Sequence, residues 1–390
     1  MKIAVDLLYL YKNTNSGTGK HIEELLRGLA DAGLLAEITI FVQDTLYENY
    51  IKSIPESDSL CGISHVVCRQ GSLFDFINRR MKKGGKFSKE FYLNRFVLPK
   101  LLKAGGYDLL FCPYNKVFNS DCGGIPSVVV VHDLFHRNYQ SGGSIRRRLW
   151  RSCVAHETER NIRKAAMVVA VSEYVRQDII KHIPSVSPDR IMTIHNSITV
   201  SEETASIPGI EKSFILCVSE HANHKNHITL LKAFDILRDR IRHKLVLLGG
   251  NREATQSLRD FIEEKQLKDR VVFLSNISDA QRNWLYKNTD LLVSPSLHEG
   301  FGRTPVEAAM LGAMVLTSRS TSLPEVTMEK LNYYEPATDE NVLAARIAEL
   351  LQQPVPEEQR KETAAFFASA YGAETAARRF YSAFERVVGK

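Results

Sequence analysis

The chain has 390 residues, 44% hydrophobic and 25% charged, a balance that excludes a mostly disordered chain and leaves room for two or three globular domains. The net charge of +6 is unevenly placed: residues 1–200 carry 27 Lys and Arg against 19 Asp and Glu, while the remainder is slightly acidic. The first half is therefore expected to meet something anionic, or the two halves to meet different partners. No run approaches the ~18 apolar residues of a membrane helix. Asp6 interrupts the apolar start and no small-residue cleavage site follows, so a first strand is expected there rather than a signal peptide. Six scattered cysteines without a C-x-x-C pair fit reduced thiols in a cytosolic protein, and no zinc site.

In chain order, strand-like runs alternate with amphipathic segments. Residues 2–8 read as a strand and 20–32 as a helix, with Ile22, Leu25, Leu26 and Leu29 at helical spacing. Strands are expected at 38–42, 107–112, 127–131, 167–171 and 190–194, and helices at 146–164 and 173–182. The stretch 45–105 shows no clear period. Residues 198–213, polar and holding Pro208 and Gly209, read as an interdomain linker. The alternation then restarts, with strands at 214–218, 244–248, 271–274, 291–294 and 314–317. Helices are expected at 226–240, 253–266, 279–287, 306–311 and 341–351. Such alternation predicts an α/β protein with two doubly wound, Rossmann-like parallel sheets, residues 1–197 and 198–372.

Ligands of such sheets bind beyond the carboxyl ends of the strands, so the loops there hold the candidates. The loop 13–20 (NTNSGTGK) brings Gly17, Thr18 and Gly19 to a helix start, which suits an anion site or an ordinary βα turn equally well. It lacks the third glycine of a dinucleotide fingerprint. His132 closes a buried strand, where it either donates into the ligand site or caps its own loop. His224-Lys225 enters a helix. A cation there opposes the helix dipole unless an anion binds, although an exposed surface lysine has the same sequence appearance. The densest loop is HEGFGRTPVEAA, 298–309. Gly300 and Gly302 can expose amides to a phosphate, Glu307 can accept from a ribose diol, and Glu299 lies eight positions earlier. No Asp-x-Asp pair, Walker A loop, G-x-S-x-G elbow or H-E-x-x-H occurs.

Residues 298–326, HEGFGRTPVEAAMLGAMVLTSRSTSLPEV, resemble the E-x7-E block of the retaining group 1 (family 4) glycosyltransferases of the GT-B fold. SGTGKHIEELLRGL, VVVVHDL, VVAVSEYVRQDI, FILCVSEHANHKNHITLLKAF and LVLLGG agree in order. The resemblance implies two Rossmann-like domains facing across a cleft. The acceptor would bind mainly on 1–197 and a UDP- or GDP-linked sugar mainly on 198–372, with the last helix, about 373–390, packing back on the first domain. It implies that Glu307 holds the ribose hydroxyls and that Glu299, with the Gly300–Gly302 backbone, positions the donor sugar. Lys225 would neutralise the diphosphate, Gly17 and Gly19 would approach it, and His132 would face the reacting sugar. Thr18, His224, Phe301, Arg303 and Thr304 complete the expected substrate contacts. Many relatives have Arg-Lys where this chain has His224-Lys225, so Arg303 or Arg319 is a candidate for the missing cation.

The implied reaction is retaining and metal-independent, with the nucleotide-sugar a co-substrate and no cofactor. The acceptor is expected to be a growing glycan, lipid-linked, in surface polysaccharide or lipopolysaccharide synthesis, and no nucleic acid is expected as a partner. Residues 79–92, with Arg79, Arg80, Lys82, Lys83, Lys86 and Lys89 beside Phe87, Phe91 and Tyr92, read either as a solvated loop or as a contact with an anionic membrane surface. The expected location is cytoplasmic, with the inner face of the cytoplasmic membrane as a docking surface. The competing classes are a dinucleotide-dependent oxidoreductase and a non-catalytic nucleotide-sugar-binding protein of the same fold.

Overall fold

The computed structural model describes residues 1–8, 17–34, 37–49, 51–54, 58–61, 63–69, 89–115, 122–134, 145–210 and 213–389. The chain divides into two compact units, Met1–Ser197 with Ala373–Lys390, and Ile198–Gly372.

The first unit is built on a seven-stranded sheet, ordered β3-β2-β1-β4-β5-β6-β7 and parallel throughout. Its strands are β1 (Ile3–Asp6), β2 (Ile38–Gln43), β3 (Ser64–Cys68), β4 (Leu109–Cys112), β5 (Ser127–Val131), β6 (Met167–Ala170) and β7 (Ile191–Thr193). Every residue of β5, SVVVV, is buried, as a β-branched strand covered on both faces must be. The edge strand β3, SHVVC, is half exposed and carries no apolar run, which is why 45–105 shows no period. The same stretch holds the helical segments Lys89–Tyr92, Leu93–Val97 and Leu98–Gly105.

The helix Gly17–Asp31 buries Ile22, Leu25, Leu26 and Leu29, and packs against the last helix, Ala373–Val388. Gly28 permits that approach: a Cβ there would lie 2.5 Å from the Ala373 carbonyl oxygen. Phe380 and Phe384 of the last helix meet Phe111 of β4 at 5.5 and 5.0 Å between ring centroids.

The second unit has a six-stranded parallel sheet ordered β10-β9-β8-β11-β12-β13. Its strands are β8 (Phe214–Val218), β9 (Lys244–Leu248), β10 (Val271–Leu274), β11 (Leu291–Ser294), β12 (Val315–Ser318) and β13 (Asn332–Tyr334). Leu230, Phe234, Leu247, Leu258, Leu291, Leu316 and Ile347 join its core.

The polar stretch expected to be a linker is tied down within this unit. Asn283 Nδ2 donates to the Ser201 and Glu203 carbonyls at 2.8 and 3.1 Å, and the Ala205 amide donates to the Ala280 carbonyl at 3.0 Å. Pairing with the helix Asp279–Asn288 satisfies backbone groups that no hydrophobic pattern announces.

In both sheets the order reverses direction between the first and fourth strands, β1 and β4 in one and β8 and β11 in the other. The loops leaving those strands are where an open α/β sheet offers a crevice.

Candidate active site

In the second unit, β8 leads through a short turn, Asn223–Lys225, into the helix His227–Leu237. Asn226, expected inside that helix, instead caps it in the left-handed region at φ 56°, which asparagine tolerates. Its Nδ2 donates to the carbonyls of Pro295 at 3.1 Å and Ala337 at 2.9 Å, and the Leu297 amide donates to the His224 carbonyl at 2.8 Å. These bonds fasten the loop after β8 to the loop after β11.

That fastening places Lys225 against Glu299, 74 positions later in the sequence. Lys225 Nζ donates to Glu299 Oε1 at 2.7 Å, and the two side chains are 17% and 15% exposed. The Glu299 backbone is held as well: its amide donates to Thr321 Oγ1 at 2.9 Å, and its carbonyl accepts from Thr321 Oγ1 and Ser322 Oγ. Burial opposes ionisation of Glu299, but the Lys225 ammonium outweighs it and holds the carboxyl below its ordinary range.

The helix after β11 runs Arg303–Met310, starting earlier than the sequence pattern suggests. Gly302 precedes it at φ 87°, where a Cβ would also meet Leu323 Cδ2 at 2.6 Å, so glycine is required there. One helical turn separates Arg303 from Glu307, and Arg303 Nε donates to Glu307 Oε1 at 3.0 Å with both side chains 10% exposed. Gly300 is buried in the same loop and Thr304 is half-buried in the first turn. Phe301, expected among the substrate contacts, is instead buried edge-on against Tyr371 at 5.8 Å, because a benzyl side chain between two glycines finds the core more favourable than water.

The cation missing at position 224 is not supplied by His224. Burial, and then the neighbouring Lys225, push its pKa down to about 4, so the ring is neutral near pH 7. Arg319, the other candidate, is engaged elsewhere in this structure. It forms a two-pronged pair with Glu329, both bonds at 2.8 Å, and lies over the Tyr333 ring.

In the first unit, His132 follows β5 and its Nε2 donates to the Pro113 carbonyl at 2.9 Å, while its ring stands edge-on to His21 at 5.6 Å. Gly17, Thr18 and Gly19 form the first turn of their helix rather than a loop, and Gly19 is buried. Residues 13–16 and 79–88 lie outside the described residues. Within 79–92, Lys89 pairs with Asp44 at 2.7 Å and Tyr92 is buried.

The sequence pattern passed over Asp6, which ends β1 beside the reversal point. It is fully buried and accepts at Oδ1 from the Leu8 amide at 2.9 Å and the Tyr114 hydroxyl at 3.1 Å. Burial raises its pKa to about 6 against those two bonds. The signal available was an acid as the last residue of an apolar strand. Also unannounced are His221 and His227, buried and edge-on to each other at 5.2 Å; burial lowers the pKa of both, that of His227 to about 3. Among the described residues, no group of three or more His, Cys, Asp or Glu side chains is arranged to hold a metal ion, and no helix is long and apolar enough to cross a membrane.

Comparison with known proteins agrees with this geometry. The family described as "Glycosyl transferases group 1" matches residues 201–365, and "Glycosyltransferase Family 4" matches residues 15–202. The O-antigen chain mannosyltransferase RfbU of Salmonella typhimurium is 29% identical over 195 residues, covering 50% of this chain and 53% of that protein. The O-antigen chain mannosyltransferase B of Escherichia coli is 28% identical over 200 residues, covering 48% and 52%. The chain thus matches about half the length of these curated relatives. HepE of Anabaena, solved with UDP and glucose, superposes with a TM-score of 0.72 at 17% identity, over 99% of this chain and 100% of that one. The two family matches together span residues 15–365, and the chain belongs to the group 1, family 4 glycosyltransferases of the GT-B fold.

Proposed function

We propose that this enzyme transfers a hexose, with mannose the first choice, from a UDP- or GDP-linked donor to a growing surface glycan, with retention at the anomeric carbon. The sugar assignment rests on the two mannosyltransferase relatives, and the nucleotide type on HepE, which binds UDP. The single observation that carries the mechanism is the Lys225–Glu299 pair at the end of β11.

The proposed sequence of events follows from charge. An incoming diphosphate displaces Glu299 from Lys225. Lys225 then stabilises the charge that develops on the diphosphate as the sugar–oxygen bond breaks, a group already in place and needing no reorganisation. The released Glu299 carboxylate accepts hydrogen bonds from the donor sugar hydroxyls, while Glu307 accepts from the ribose diol. The acceptor hydroxyl attacks from the face the diphosphate leaves and passes its proton to a diphosphate oxygen, so no protein base is needed. His132 and Asp6 serve the acceptor end. Lys225 and the loop amides supply the charge stabilisation, and neither a metal nor a cofactor is assigned. The acceptor is lipid-linked in this reading, and the cluster at 79–92 docks on the anionic inner face of the membrane.

A thermal-shift series with UDP, GDP and NAD tests the donor class, since a ligand that binds the native state raises its melting temperature. A rise with one nucleoside diphosphate and none with NAD is expected. NMR of the product anomer tests retention, and transfer that survives EDTA tests metal independence. An inverted anomer, or activity lost on chelation and restored by Mg²⁺ or Mn²⁺, overturns the corresponding part.

A further inference from the structure

We infer that Arg303 is a positioning residue that fixes Glu307 for the donor ribose, and is not the missing cation of the diphosphate site. The inference rests on the proposed role of Glu307 and deepens it.

Three observations carry it. First, Arg303 occupies the opening turn of a helix whose first turn holds no acidic residue, where the helix dipole disfavours a cation. Its local sequence position therefore needs an offsetting anion. Second, that anion is Glu307, 3.0 Å from Arg303 Nε, with both side chains 10% exposed. Exposed pairs at this spacing contribute little, but a pair this shielded from water leaves an uncompensated buried charge when either partner is removed. Third, a neighbouring helix, Asp279–Asn288, packs against the helix Arg303–Met310 that carries the pair. Tyr286 is fully buried, and its phenol pKa is raised by burial first and then by Glu307. Arg282 lies over the Tyr286 ring at 5.9 Å and pairs with Asp279 at 2.7 Å, and although burial opposes it, nearby negative charge, Glu307 and Asp279 included, raises its guanidinium pKa.

Glu307 is thus a buried carboxylate tied to Arg303 rather than a mobile side chain. A glutamate that must be immobilised when ligand arrives loses rotamer freedom at that moment, and one already fixed does not. A vicinal diol, whose two hydroxyls must meet acceptors at set positions, gains most from such an arrangement. A diphosphate would instead compete with Glu307 for the same guanidinium.

The test separates the two roles on the full chain by calorimetry, with UDP and GDP each compared with its 2′-deoxy counterpart. Loss of a hydrogen bond to a charged group predicts that the wild type prefers the ribose form by about tenfold or more. R303M is expected to shrink that preference to about threefold or less while changing the affinity for the 2′-deoxy nucleotide less than twofold. In transfer assays the donor KM of R303M should rise with kcat nearly unchanged, and R303K should recover part of the preference because it keeps the charge without the planar fork. If R303M does not fold, R303K and R303Q carry the same comparison. Equal weakening of ribose and deoxyribose forms would place Arg303 on the diphosphate and overturn the inference, as would an intact preference. E307Q tells the two failures apart. If E307Q keeps the preference, or the wild type shows none, the ribose role of Glu307 is wrong. If E307Q abolishes it and R303M does not, only the role of Arg303 is.

Discussion

The two sheets share a strand order around their reversal points, and they furnish those points with opposite chemistry. At the end of β8 and β11 the charged groups come in pairs: Lys225 with Glu299, and Arg303 with Glu307 one turn further on. At the end of β1 a buried carboxyl, Asp6, is held by an amide and a phenol, and its burial favours the protonated form more than in water. A site balanced by internal ion pairs can open to admit a highly charged ligand and close again. A buried acid whose pKa sits near 6 is still mostly ionised at pH 7 and can accept hydrogen bonds from hydroxyl groups. The difference teaches how one topology, used twice in a chain, can carry two different electrostatic settings at its reversal points.

The largest effect should come from emptying the charged site. Lys225→Ala is expected to lower transfer by about 10²–10³, as removal of a transition-state electrostatic partner does, a larger effect than the stability lost when Glu299 is left without its partner. A full-rate, normally melting variant would remove Lys225 from the reaction.

Next is Glu299→Gln. Because the amide no longer holds Lys225 as an ion pair, free nucleoside diphosphate should bind severalfold tighter by calorimetry while turnover falls. Weaker binding and lower turnover together would mean that Glu299 does not compete with the diphosphate.

A smaller effect should appear in the pH dependence of stability, with opposite signs in the two units. His224 has a folded pKa of about 4, below its unfolded value near 6.5, so its neutral form stabilises the fold above pH 6.5 and that contribution is lost as pH falls toward 4. His224→Asn should therefore flatten the acid-side fall in melting temperature. Asp6 has a folded pKa of about 6, above its unfolded 3.8, so the native state takes up its proton first and gains relative stability as pH drops through 6. The melting difference between wild type and Asp6→Asn should shift toward the wild type between pH 8 and 5. Parallel pH profiles for both variants and the parent would erase the contrast.

The smallest effect is expected for Arg319→Ala, whose partner Glu329 lies in the same unit and whose side chain is 42% exposed. Donor affinity should stay within twofold. A larger loss would return Arg319 to the diphosphate.

Most strands were legible because they are short β-branched and aliphatic runs, in β5, β8, β9 and β11 buried almost throughout and in the edge strand β10 only partly. The runs at 127–131, 214–218, 244–248, 271–274 and 291–294 read as strands and are β5, β8, β9, β10 and β11. Elements with one wet face left no such trace: β3 is half exposed, and the helix Glu357–Ala370 buries only Phe367. The glutamates of 298–309 stood out by spacing, yet what each one touches depends on chain segments far away. Spacing alone gave no sign that Lys225 would meet Glu299 or that Arg319 would turn to Glu329. Arg303 with Glu307 is the exception, since four residues along a helix are neighbours by construction. The burial of Phe301 against Tyr371 is likewise set by residues far along the chain and left no trace in spacing.

The helix Ala373–Val388 has a consequence for how the protein is made. Phe111 in β4 is covered by Phe380 and Phe384, which leave the ribosome only after all of Ile198–Gly372 has been translated. At roughly 5–20 residues per second, the nascent first unit waits on the order of 10–30 s with that aromatic face open. The unit synthesised first is completed last, and during that interval the chain offers a folding assistant an apolar surface that the finished enzyme conceals.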